Sequence, residues 1–168
     1  MGVEHYTMVD SRDTVPNSLC NKLVTAYLYE KTSTRYSQSH VLKLSAGELF
    51  TAIVASIATA VVLKTTITVT FLKEAFIALG VAVTTGALSV AFNGTFQIRS
   101  EIKDYYATIS GTSHFTNTIT KEYFTMYDTY NGKSTVKYLG EHVSAYGKPT
   151  SYQVMLASAI VNWSYSCK

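Results

Sequence analysis

Leu49 to Leu63 reads LFTAIVASIATAVVL, and after Lys64 the chain continues from Thr65 to Phe71 as TTITVTF. These two runs decide what the middle of the chain is. Ser45-Ala46-Gly47-Glu48, just ahead of the first, matches a capping box: Ser45 accepts from the amide three residues on, while the Glu48 side chain reaches back to the Ser45 amide. That cap and the alanines favour a helix over Ser45–Leu63, against the strand preference of Val and Ile. The second run alternates, with Ile67, Val69 and Phe71 opposite Thr66, Thr68 and Thr70. Period two predicts a strand.

Toward the C-terminus, Lys73 and Glu74 precede 24 uncharged residues, Ala75 to Ile98. Within them Ala75–Phe92 (AFIALGVAVTTGALSVAF) is mostly apolar, and Asn93-Gly94 supplies a turn signal after it. Thr95–Ser110 and His114–Tyr130, rich in Tyr, Thr and Ile, read as strands. Asn131-Gly132 between two such runs predicts a hairpin with a two-residue type I′ turn. Tyr152–Tyr165, through Met155, Leu156, Ala159, Ile160 and Trp163, is expected to be the last strand.

Toward the N-terminus, Leu23–Tyr29 (LVTAYLY) alternates as a strand. The polar stretch Glu30–Arg35 is read as its turn and Tyr36–Leu44 as the returning arm of a hairpin. The fold expected is α+β, a mainly antiparallel β-sheet with one or two central apolar helices. A single domain spans 1–168: an irregular lead-in (1–19), a hairpin (20–44), the apolar central segment (45–92) and antiparallel strands (95–168).

Composition agrees with a packed domain. The 168 residues are 47% apolar and only 15% charged, against about 25% charged in ordinary domains. Solubility must come from the 40 Ser and Thr and the 13 Tyr. Such a mixture suits a secreted or cell-surface β-rich protein. Net charge is +3 and only three of the 14 basic residues are Arg, with no basic run, so nucleic acid is not an expected partner. Met1-Gly2-Val3-Glu4-His5-Tyr6 lacks the basic start and apolar stretch of a signal peptide, which fits a mature secreted form given a starting Met. Cys20 and Cys167 are candidates for a disulfide. Paired, they would close a loop of about 147 residues and contribute roughly 4–5 kcal/mol in the chain-entropy model. Two buried thiols are the competing reading.

Catalytic signatures are missing. His5, His40, His114 and His142 are scattered without metal-ligand spacing, and no nucleophile elbow, P-loop or dinucleotide fingerprint occurs. No enzyme, metal or cofactor is expected. The carboxylates Glu101 and Asp104 read as solvated charges. What stands out is that Leu49 to Phe92 holds only Lys64, Lys73 and Glu74 as charged groups. A helical span takes about 20 mostly apolar residues. The segment is too rich in Thr, Ser, Gly and Ala for a committed span, and suits one that a soluble pore-former hides and later releases. On that reading Ile67, Val69, Phe71, Phe76, Ile77, Leu79, Val81, Val83, Leu88, Val90 and Phe92 meet lipid. The expectation is a secreted, membrane-active protein of the toxin or bacteriocin kind that forms homo-oligomers on a target lipid membrane. Two readings compete with it. The segment can be plain core, and the tyrosines of the C-terminal half can serve a surface module that recognises carbohydrate or protein.

Overall fold

The computed structural model describes residues 6–13, 23–63, 65–144 and 151–166. The elements follow in the order β1 (Thr7–Asp13), β2 (Thr25–Tyr36), β3 (His40–Leu44), α1 (Phe50–Ala60), α2 (Val69–Ala78), β4 (Phe92–Ile109), β5 (Thr112–Asp128), β6 (Ser134–Val143) and α3 (Tyr152–Ser166). The strands lie in the order β1-β2-β4-β5-β6, with β3 paired to β4. The fold is α+β, with a mainly antiparallel sheet.

The chain forms two compact units. The first comprises Met1–Ser33, Ile102–Thr120 and Val143–Lys168, the second Thr34–Glu101 and Lys121–His142. In the first, Met155, Leu156, Ala159 and Trp163 of α3 pack on Ala26, Leu28, Tyr105, Ala107 and Ile109. In the second, α1 contributes Phe50, Ile53 and Ile57, and α2 contributes Leu72, Ala75 and Phe76. These meet Phe92 and Phe96 of β4 and Phe124 and Met126 of β5. Phe76 meets Phe92 edge to face, with ring centroids 5.1 Å apart. Each such side chain removed from water stabilises by roughly 1.5–3 kcal/mol.

Several local readings are corrected. TTITVTF is not a strand. Residues 65–68 are irregular and α2 begins at Val69, because the Thr68 hydroxyl caps it by accepting from the Phe71 amide at 3.1 Å. Leu72, Ala75, Phe76 and Leu79, all buried, then recur at helical spacing and override the β-branched alternation. The helix ends at Leu79 in a Schellman motif: Gly80 N–H donates to the Ile77 carbonyl at 2.9 Å and Val81 N–H to the Phe76 carbonyl at 3.0 Å. Gly80 takes the left-handed conformation this requires, φ +77°. Residues 81–91 are therefore not a helical arm. They fold back on themselves, Val83 bridging Leu88.

The capping box is not used either. The Glu48 carbonyl accepts from the Leu88 amide at 3.0 Å and Leu49 bridges Ala87, which holds the backbone extended until Phe50. α1 starts there without a side-chain cap.

Asn93-Gly94 lies inside β4, not in a turn. A Cβ on Gly94 would collide with the Tyr127 carbonyl oxygen and come within 2.6 Å of the Phe92 ring, so glycine is there for close approach. Type I′ geometry occurs elsewhere: Ser110 and Gly111 have φ of 51° and 77° and join β4 to β5 in two residues. The hairpin at Asn131-Gly132 forms, but through a longer loop in which Gly132 alone has positive φ (69°).

Glu30–Arg35 is strand, continuing β2; it holds no Gly, Pro or Asn to turn the chain. The returning arm, β3, pairs with β4 instead, so the 20–44 hairpin does not form. The lead-in contains β1, which pairs antiparallel with β2 from Thr7↔Glu30 to Asp13↔Thr25. The last element is a helix, α3: Met155, Leu156, Ala159 and Trp163 repeat at 3.6, not 2, and the Ser151 hydroxyl accepts from the Val154 amide at 3.3 Å. Cys20 and Cys167 lie outside the described residues.

Candidate functional site

The residues expected to meet lipid divide by exposure. Ile67, Phe76, Leu79, Val81, Leu88 and Phe92 are buried, and all six belong to the core of the second unit. Val69, Phe71 and Val83 pack partly buried against it. Only Ile77 and Val90 are exposed, at 54% and 44%. Among the described residues no helix is long and apolar enough to cross a membrane.

The outward side of α1 is of a different kind. FTAIVASIATA contains no charged residue, and Thr51, Ala52, Ala55, Ser56, Ala58, Thr59 and Ala60 are all exposed. Val62, just beyond, is 99% exposed. A surface helix ordinarily turns charged or polar residues to water, and here the polar ones are only the hydroxyls of Thr51, Ser56 and Thr59. α3 shares the property: it has no charged residue, and Val154, Val161 and Tyr165 face outward.

Two hollows collect polar chemistry. The second unit has one of about 380 Å³ beside the C-terminal end of α1, lined by Arg35, Tyr36, Gln38, His40, Val62 and Glu122, among others. The rim of this hollow is stapled to β4. Ser37 Oγ accepts from the Ile98 amide at 2.9 Å and donates to the Gln38 carbonyl at 3.0 Å, while Gln97 Nε2 donates to the Ser37 carbonyl at 2.9 Å. His40 stacks on Phe96, centroids 5.1 Å apart. Glu122 is only 5% exposed.

The first unit has a hollow of about 420 Å³ lined by Tyr6, Tyr29, Tyr106, Thr108 and Ser113. Tyr6 and Tyr106 meet edge to face at 5.6 Å, and Lys31 Nζ lies 5.7 Å from the Tyr6 ring centre.

A third cluster is structural in character. Glu30 Oε2 accepts from the Tyr105 hydroxyl at 2.6 Å and from the Tyr152 hydroxyl at 3.1 Å, and Lys103 Nζ stands 3.8 Å from Oε1. Burial first, then the hydrogen bond and negative charge of Glu30, push the Tyr105 phenol far above its usual range. Tyr152 is pushed up by the same causes in the same order, with its contact to Tyr105 working the other way. Both phenols are held neutral, and the pair anchors the first turn of α3.

No family model, curated protein or solved structure matches this chain.

Among the remaining candidates, Glu101 pairs with Arg99 at 3.7 Å and Asp104 accepts from the Thr118 hydroxyl at 2.6 Å, so the two carboxylates have separate partners. Among the described residues no group of three or more His, Cys, Asp or Glu is placed to hold a metal ion. Of the tyrosines in the C-terminal half, Tyr105 and Tyr152 meet at Glu30 and Tyr106 enters the tyrosine hollow, while Tyr146 lies outside the described residues. The sequence reading missed Tyr6, Tyr29, Arg35 and Glu122. They converge only through pairing of strands far apart in the chain, so no local signal marked them.

Proposed function

We propose that the protein acts at membrane surfaces, in the manner of a secreted toxin or bacteriocin, and that the second unit presents the part that meets lipid. The observation carrying this is the charge-free outward face of α1, with Val62 fully exposed at its end. Small, uncharged side chains lose little on leaving water for an interface, whereas a charged face would hold the helix back. The net charge of +3 adds mild attraction to anionic lipid. Insertion of the eleven apolar residues would be a later step, since six of them must first leave the core. Oligomerisation on the target membrane belongs to that step.

Dye release from anionic liposomes tests the reading. Release at micromolar protein is expected, reduced when Val62 is replaced by Asp; silence at both acidic and neutral pH would remove it.

The tyrosine hollow favours a second reading. Three tyrosine rings with Thr108 and Ser113 offer stacking faces and hydroxyls together, the combination that holds a sugar ring. Binding on a glycan array that Tyr106→Ala abolishes would support it.

A further inference from the structure

We propose that the hollow of the second unit binds a small zwitterion, an ammonium joined to a phosphate or carboxylate, of lipid-headgroup size. Its charges come in both signs at different depths. Glu122, at 5% exposure, is the deep one, while Arg35 is on the exposed part of β2. A plain anion would face Glu122, and a plain cation would face Arg35. A zwitterion satisfies both, its ammonium inward and its anionic group at the rim.

The rest of the lining fits that orientation. Tyr36, 63% exposed, lines the hollow beside Arg35, and His40, stacked on Phe96, adds a donor or acceptor. Glu122 also interacts within the fold, and a carboxyl group has two oxygens with room for several hydrogen bonds. Ala60, Val61 and Val62 add an apolar part to the lining, with Val62 fully exposed, which suits a ligand that carries an apolar chain. The ligand can therefore come free or as the headgroup of a zwitterionic lipid. The inference goes beyond the membrane reading and does not depend on it.

O-phosphocholine, choline chloride and inorganic phosphate are titrated separately into the whole protein and followed by amide NMR. Phosphocholine is expected to bind at millimolar concentration or below, shifting amides of residues 35–40 and 98–100. Choline and phosphate alone should each bind about tenfold more weakly, having lost one of the two charge contacts. Arg35→Gln, at an exposed position that leaves the core alone, should bring phosphocholine down to the level of choline. Glu122→Gln should bring it down to the level of phosphate; if that variant fails to fold, Arg35→Gln still decides. Phosphate binding as tightly as phosphocholine, unchanged binding by Arg35→Gln, or shifts confined to other residues would each overturn the proposal. Phosphatidylcholine vesicles that displace free phosphocholine identify a lipid source, and vesicles that do not identify a soluble one. Phosphocholine binding without liposome leakage would keep this site and remove the membrane function.

Discussion

At the scale of single residues, the Glu30 carboxylate ties three side chains of the first unit together. Two phenols donate to one of its oxygens and Lys103 stands by the other. Glu30→Gln keeps the shape and removes the charge; the expected cost is about 1–3 kcal/mol, read from denaturant midpoints. The tyrosines set a pH limit. Their folded pKa values lie above the unfolded value, so their contribution is complete below about pH 10 and is lost as pH rises beyond it. Alkaline titration of stability should show a steeper fall in the native protein than in Tyr105→Phe; equal slopes would refute the assignment. Gly94 supplies a second check. Alanine in a strand is ordinarily better than glycine, but here a Cβ meets the Phe92 ring and the Tyr127 carbonyl. Gly94→Ala is expected to destabilise by about 1–3 kcal/mol, the usual cost of overpacking.

At the scale of elements, the caps and stripes carry the stability. Thr68→Ala removes the N-cap of α2 and should cost about 1 kcal/mol by thermal or chemical denaturation. Along α3, Leu156→Ala should cost roughly 2–5 kcal/mol, since Leu156 is fully buried. Val161→Ala, on the outward side, should stay within about 0.5 kcal/mol. This is also the scale at which the sequence was partly legible. The long strands β4 and β5 and the hairpin into β6 follow from Tyr, Thr and Ile content and from Asn131-Gly132. α1 was legible from its alanines, although not its start, because the backbone at Glu48 and Leu49 is claimed by Ala87 and Leu88, distant in sequence. α2 was hidden: Thr68 looks like a strand residue until its hydroxyl is seen to cap. α3 reads from the sequence as a last strand, Tyr152–Tyr165, and is a helix. Met155, Leu156, Ala159 and Trp163 are one helical stripe, and the β-rich sequence before them disguised the period. The two hollows were illegible, since Arg35 and Glu122, like Tyr6 and Tyr106, come together only through pairing of strands far apart in the chain.

At the scale of the whole molecule, the question is what the buried part of the apolar segment can do. Six of its residues lie in the core of the second unit, each worth roughly 1.5–3 kcal/mol. A domain has only about 5–15 kcal/mol in hand. Releasing the segment therefore amounts to opening that unit, and leakage should follow its stability. Phe76→Ala, which weakens the core, should speed dye release if insertion occurs. An unchanged rate would confine lipid contact to the surface of α1. The outward faces of α1 and α3 impose no such cost, being uncharged and already exposed.

The turn at Ser110-Gly111 reaches into kinetics. It brings β4 and β5 together with almost no loop to close, the shortest connection between paired strands among the described residues. Both units draw strands from this one ribbon. A β-branched residue at Gly111, forced to positive φ, would delay refolding far more than it would hasten unfolding, and stopped-flow measurement of the two rates would reveal where assembly begins.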